Sequence, residues 1–353
     1  FIMEANWHCD NYGIDTITLS VTVAFLMECF QRGYLIREDA DGLELTWGDE
    51  TAVLRFIHQL AAGETELSRQ TGKGMVGLVD WISGQYVRRT VLPDPRDKLL
   101  RFAMQTKGLP FSLYRTHRSL SMQASYAAAS DIGAHHAAAW LVKSDLLGAF
   151  PSMEDKARAL VTYPRVRLGN DNLGLCKLPW VDVFNPESGK MKDTDIYINP
   201  ASQEIYADFY NGMLGTEMTW QQIFAQTDRD INLQRVMNVM VYGKETARQD
   251  RIPDRAVGPT DDLLYDAEKD YNDRELAGFL GKPVAEVQRV PTAGKRDLLM
   301  KRRKEQLREL IQVYYRARGW NSSGIPTPET LKQIGLWGFL TAGTRAKILE
   351  MTG

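Results

Sequence analysis

The chain has 353 residues, 44% of them hydrophobic, which is enough for a large core and points to two domains rather than one. It carries 43 basic and 45 acidic residues, so no basic excess marks a nucleic-acid surface. Its most apolar stretch, residues 14–30, is interrupted by Asp15, Thr16, Thr18, Ser20, Thr22 and Glu28, so no membrane span is expected.

The start, Phe1-Ile2-Met3-Glu4, has neither an initiator Met nor a signal-peptide pattern, and reads as cut from something longer. Only Cys9, Cys29 and Cys176 occur. They are too few for a disulfide framework and too scattered for a four-thiolate site, and they fit a reducing, cytoplasmic setting.

Helix signals dominate and strand signals are weak. Residues 15–32 predict the first helix, capped by Asp15 or Thr16 and stopped by Gly33. Residues 50–62 predict the next, with Val53, Leu54, Ile57 and Leu60 on one face. Gly72, Gly74 and Gly77 mark loose or closely approached backbone, and Pro93-Asp-Pro95 breaks the chain. Lys107-Gly-Leu-Pro110 reads as a linker and sets the domain boundary, giving one helical domain over 1–108 and a second over 109–353.

A small-residue stretch fills 124–139, and a helix over 154–163 runs toward residue 171. Residues 219–241 predict another helix. Residues 247–273 are charged and punctuated by Pro and Gly, and read as an irregular surface excursion. Residues 295–318 predict a long helix with Lys295, Arg296, Lys301, Arg302, Arg303, Lys304 and Arg308 on one face. Glu305 and Glu309 interleave with these cations, which favours a solvated face over a docking surface.

The central signal is a short repeat. Asp10-Asn-Tyr-Gly-Ile-Asp15 and Asp171-Asn-Leu-Gly-Leu-Cys176 match at Asp, Asn, Gly and the aliphatic position. Two readings stand. Asp-Asn-x-Gly is ordinary turn chemistry. Alternatively, two half-sites face one pseudo-symmetric flat ligand. A carboxylate can accept from an amino-pyrimidinone edge, Gly admits a flat ring, and N–H groups beside a helix start hold phosphates.

Several further blocks lie at consistent spacing: Glu28-Cys-Phe-Gln-Arg-Gly33, Lys107-Gly-Leu-Pro110, Ser125-Tyr-Ala-Ala-Ala-Ser-Asp-Ile-Gly-Ala-His-His136, Leu233-Gln-Arg-Val-Met-Asn238, Asp250-Arg-Ile-Pro-Asp-Arg255 and Tyr314-Tyr-Arg-Ala-Arg-Gly-Trp-Asn321. With both loops, they make the chain resemble the two C-terminal helical domains of the tungsten-containing aldehyde ferredoxin oxidoreductase family. The resemblance spans nearly the whole chain. It implies a mainly α fold of two helical domains with a bis-pterin cofactor at their interface. Tungsten or molybdenum would be held by two pyranopterins, with magnesium bridging the pterin phosphates and a 4Fe–4S cluster beside one pterin.

The same resemblance implies roles for residues. Asp10, Asp15 and Asp171 become hydrogen-bonding pterin ligands, with backbone at Gly13, Ile14, Gly174 and Leu175 against the rings. Cys176 becomes the fourth cluster thiolate, the bland alternative being a buried structural Cys. The family's other three ligands form a Cys-x-x-Cys-x-x-x-Cys run upstream of the first loop, and neither Cys9 nor Cys29 has that spacing. His136 aligns with the family's active-site His, with His135 beside it; the alternative is a polar contact at a helix start. Cys9 is either a thiolate near tungsten or a buried Cys. Glu4 and His8 are candidates to line the pocket.

Two departures put the phosphate contacts and substrate pocket in question: Arg115-Thr-His-Arg118 stands where many members have Tyr-Asp-Pro-Arg, and Ala137, Ala138 and Ala139 replace a basic residue after the active-site His. The expected activity is oxidation of a small aldehyde to a carboxylic acid, with electrons passing through the cluster to ferredoxin or a ferredoxin-like subunit. The expected partners also include an N-terminal domain. Two rivals are a low-potential aromatic acyl-CoA reductase subunit and a non-catalytic helical scaffold or electron-transfer subunit.

Overall fold

A computed structural model describes residues 1–112, 116–175 and 200–353. The principal helices are α1 (Ile2–Tyr12), α2 (Thr16–Gln31), α3 (Glu50–Ala62), α4 (Met75–Arg89), α5 (Leu120–Ala124), α6 (Met153–Asn172), α7 (Pro200–Leu214), α8 (Trp220–Tyr242), α9 (Lys269–Leu280) and α10 (Thr292–Ala317). Among the described residues the one sheet is a two-stranded antiparallel ladder, β1 (Gln105–Thr106) with β2 (Leu109–Pro110). The mainly helical expectation therefore holds. No single described helix is long and apolar enough to cross a membrane; α1 and α2 pass that test only as a pair bent by 116°.

The chain folds into two compact units interleaved in sequence. The first comprises Phe1–Arg115, Ile132–His135 and Ile252–Met300; the second comprises Thr116–Asp131, His136–Arg251 and Lys301–Gly353. A single boundary after residue 108 does not express this exchange of segments.

In the first unit, α2 is the core helix. Leu19, Val21, Val23, Phe25, Leu26 and Cys29 are buried with Phe56 and Ile57 of α3 and Leu78, Val79 and Ile82 of α4. Asp15 caps α2, Asp49 caps α3 and Gly63 ends α3 in the left-handed region, as the residue types require. Two elements depart from expectation. The helix α1 precedes the expected first helix; it buries only Cys9, so it carries no apolar stripe to read. The glycines at 72–77 do not mark a loose segment, because Gly74 caps α4 and Gly77 lies within it.

Lys107-Gly108 is a tight hairpin turn rather than a linker. Both residues have positive φ, 53° and 86°, the geometry whose twist suits a two-residue hairpin. Gly133 presses on this hairpin: a Cβ there would lie 2.3 Å from the Thr106 carbonyl oxygen, so only glycine fits.

The expected surface excursion at 247–273 is partly core. Tyr265 and Asp273 are fully buried and Lys295 is 1% exposed. Lys295 Nζ donates to Asp273 Oδ1 at 2.7 Å, and the Tyr265 hydroxyl donates to the same oxygen at 2.8 Å. Lys295 thus leaves the expected solvated face because a carboxylate waits for it inside.

In the second unit α6 packs on α8. A Cβ on Gly169 would touch Phe224 and Thr227 at 3.6 and 3.8 Å. Asp228 of α8 pairs with Arg165 at 2.7 Å and with Arg318 at 3.3 Å. Capping boxes begin both helices, Ser152 with Asp155 and Thr219 with Gln222. The small-residue stretch becomes α5 running into a π turn, Ser125–Ala129, closed by Ser130 N–H donating to the Ser125 carbonyl at 3.1 Å.

Candidate functional site

The two matched loops are built alike. At the end of α1, Gly13 adopts φ 68°, ψ 32°. Its N–H donates to the Asp10 carbonyl at 3.3 Å, and Ile14 N–H donates to the Cys9 carbonyl at 2.9 Å. At the end of α6, Gly174 has φ 70°. Its N–H donates to the Asp171 carbonyl at 3.0 Å, and Leu175 N–H donates to the Asn170 carbonyl at 2.9 Å. This pair of bonds is a Schellman C-cap, which needs a residue tolerating the left-handed region at its turn. The repeat is therefore, first of all, a helix stop written twice.

The stop also leaves a usable surface. Asp10, Gly13, Asp171 and Gly174 are exposed. Among the described residues a Cβ on either glycine would meet nothing within 4 Å. Among the described residues no hydrogen bond or ion pair engages the exposed Asp10 carboxylate, so its acceptor capacity is open there. Asp15 is partly committed: its Oδ1 accepts from Thr18 N–H at 2.6 Å as the cap of α2. Asn172 Nδ2 donates to Asp230 Oδ2 at 2.9 Å, which ties the second loop to α8. Open glycine faces beside carboxylates fit the flat, donor-rich edge of a pterin.

Two of the differences between the loops bear on their chemistry. Where Cys9 precedes Asp10, Asn170 precedes Asp171, and both are buried. Burial, then the charges of Asp10 and Asp15, push the Cys9 thiol above its ordinary range, so it stays protonated at neutral pH. Where Asp15 caps α2, the second loop ends on Cys176, which lies outside the described residues together with Arg115. Among the described residues no three His, Cys, Asp or Glu side chains gather to hold a metal.

His136 begins a short 3-10 turn, His136–Ala138, in the second unit, and its ring meets Trp140 edge-on at 5.8 Å. His135 belongs to the first unit, where its N–H donates to the Gly133 carbonyl at 2.7 Å. Both rings are half-buried.

Sequence reasoning missed a cluster on the first loop's helix. The Tyr12 hydroxyl bonds His58 Nδ1 at 2.8 Å, and the His8 and His58 rings lie 4.4 Å apart. No motif announces it, because His58 comes from α3. Glu4 is exposed on the same helix. Sequence reasoning also missed the buried guanidinium of Arg235, whose partners come from residues 131, 250 and 324.

The family model for domains 2 and 3 of aldehyde ferredoxin oxidoreductase matches residues 1–336. The chain belongs to this family. The tungsten-containing aldehyde ferredoxin oxidoreductase of Thermococcus kodakarensis is 22% identical over 96% of this chain and 46% of its own length. That of Pyrococcus furiosus is 23% identical over 95% and 45%. The aliphatic sulfonate oxidoreductase WOR-like subunit of Pyrococcus furiosus is 22% identical over 95% of this chain and 42% of its own. The chain thus spans less than half the length of these relatives. The active-site complex BamBC of benzoyl coenzyme A reductase shares the fold, with a TM-score of 0.57 at 15% identity, over 95% of this chain and 47% of that one.

Proposed function

We propose that this chain forms the two helical domains of a tungstopterin oxidoreductase, each matched loop gripping one pterin of a bis-pyranopterin cofactor. One observation carries the reading. In a chain of the aldehyde ferredoxin oxidoreductase family, Asp10 to Ile14 and Asp171 to Leu175 close with the same two hydrogen bonds and the same left-handed glycine.

Asp10 and Asp171 would accept from the pterin amino-pyrimidinone edges, and Asp15 would add the oxygen its cap leaves over. Backbone at Gly13, Ile14, Gly174 and Leu175 would lie against the rings. Cys176 would be a thiolate ligand of a 4Fe–4S cluster whose other ligands come from outside this chain. When bound, the tungsten or molybdenum pterin would supply two-electron oxidation of an aldehyde to a carboxylic acid, with water giving the added oxygen, two protons released and two electrons passed on to ferredoxin or a ferredoxin-like subunit.

The chain's own residues position and protonate. The His136 imidazole, braced edge-on by Trp140, would exchange a proton with the substrate oxygen. His135 would support that segment through its backbone. Cys9 is kept as a core residue in this reading, since its thiol is buried and protonated.

The test uses the full-length protein purified without oxygen. Metal analysis is run beside dye-linked oxidation of aldehydes and reduction of aromatic acyl-CoA thioesters. Tungsten or molybdenum with aldehyde turnover is the expected result. Thioester reduction without aldehyde turnover would move the protein to the ring-reducing branch, and absence of both metals would leave a scaffold.

A further inference from the structure

The second unit holds a fully buried ionic cluster that the proposed function does not use. Arg235, on α8, is 0% exposed. Its Nη1 donates to Asp250 Oδ1 at 3.1 Å and its Nη2 to Asp250 Oδ2 at 2.5 Å, a bidentate pair. Its Nε donates to the Gly324 carbonyl at 2.7 Å, and its guanidinium lies 4.6 Å from the centre of the Trp320 ring. The Tyr315 hydroxyl donates to Asp250 as well. Asp250 therefore engages Arg235 through both of its carboxylate oxygens.

Yet a second carboxylate is present. Asp131 Oδ1 accepts from Arg235 Nη1 at 3.2 Å. Asn238, one turn further along α8, donates from Nδ2 to Asp131 Oδ1 at 3.1 Å and to the Asp131 carbonyl at 2.8 Å. Residue 131 is thus held by both its side chain and its backbone. The place of Asp131 in the chain gives these bonds a consequence.

Asp131 follows directly on the π turn Ser125–Ala129 and its closing residue Ser130. The π turn packs against the 3-10 turn that starts at His136. Ser125 Oγ donates across to the Ala139 carbonyl at 3.4 Å, at the far end of that turn. A path of contacts therefore runs within one unit from Arg235 and Asn238, through Asp131 and the π turn, to the backbone that carries His136. A π turn is a poor stop for a helix and needs outside bonds to persist.

We infer that Asp131, Asn238 and Arg235 are positioning residues, an anchor that holds the π turn so that the His136 imidazole is presented in one orientation. The inference rests on the proposed role of His136, and its test separates the two. In the full-length protein, Asn238→Ala and Asp131→Ala should raise hydrogen exchange in residues 125–136 while residues 50–62 stay protected. Turnover should show a fall in kcat of about tenfold with KM within about twofold, the mark of lost positioning rather than lost substrate binding. Asp131→Asn keeps the Oδ1 acceptor and should restore both readouts.

Exchange that rises throughout the chain, or an Asp131→Asn variant as damaged as Asp131→Ala, would overturn the anchor. If Asp131→Ala does not fold, Asn238→Ala carries the test alone, and unchanged exchange in 125–136 overturns the inference. If the exchange pattern is as expected but His136→Gln keeps full turnover, the role of His136 fails and the anchor of the π turn stands.

Discussion

The first loop and the second loop have one backbone and two fates. Both end a helix with a left-handed glycine and the same two hydrogen bonds. After Ile14 the chain turns at once into α2, and Asp15 is consumed in part by capping it. After Leu175 the corresponding position is Cys176. The comparison teaches that the shared residues serve a common geometry, and the proposed difference in chemistry falls on the unshared ones. It also shows why the repeat supports two readings in sequence: a helix stop needs only the left-handed glycine, and the proposed ligand grip would need the same open backbone with a carboxylate beside it.

The strongest way to break the comparison is at its chemical difference. Cys176→Ser in the full-length protein should abolish or alter the cluster's EPR signal and lower turnover by about a hundredfold or more. An unchanged signal would remove the ligand assignment. Next come the carboxylates. Asp10→Ala and Asp171→Ala should each reduce tungsten and pterin content about tenfold, with the melting temperature of the Asp10 variant unchanged because Asp10 is exposed and bonds to none of the described residues through its carboxylate. Full cofactor content in both variants would return the loops to plain turn chemistry.

Smaller effects sharpen the equivalence. Gly13→Ala and Gly174→Ala should each cost about 1 kcal/mol in chemical denaturation, since both place a Cβ at positive φ in otherwise open space. Unequal losses well beyond that would show that the two caps are not mechanical equals. Asp15→Ala should cost about 1 kcal/mol through the lost cap, whereas Asp15→Asn should keep stability. Any cofactor loss in Asp15→Asn then reports binding alone.

The smallest effect lies at Cys9. Burial raises its thiol, so the folded state keeps a proton that the unfolded state releases above about pH 8.5. Stability from this group is complete below that pH and declines as pH rises through the folded value. Cys9→Ala should flatten part of the alkaline limb of the stability curve. Cys29, deeper and raised further, keeps the remainder.

How much could be read in advance varied from helix to helix. The helix α3 is legible because Val53, Leu54, Ile57 and Leu60 keep one apolar face over its thirteen residues, and Asp49 and Gly63 prove to cap it. The helix α1 is not, because it buries one residue and lacks a capping side chain. The hairpin at Lys107-Gly108 passed for a linker, since a two-residue turn flanked by two-residue strands leaves almost no alternation to detect. At the candidate site the repeat makes the two loops visible, whereas His136 stands out only through the family resemblance. The bonds from Asn238 to Asp131 could not be read in advance, since they join positions 107 residues apart.

By itself the sequence determined where the chain stops and turns. Asp-Asn-x-Gly, the caps and the left-handed glycines are local choices, settled by the conformations each residue can adopt at low cost. Only the tertiary structure decided which charges go inside. Lys295 lies in a cationic run yet is buried on Asp273, and Arg235 and Asp250 sit among polar neighbours yet are fully enclosed. The physical reason is that a charge can be buried only where distant segments bring its counter-charge and its hydrogen bonds, and no local pattern records that meeting.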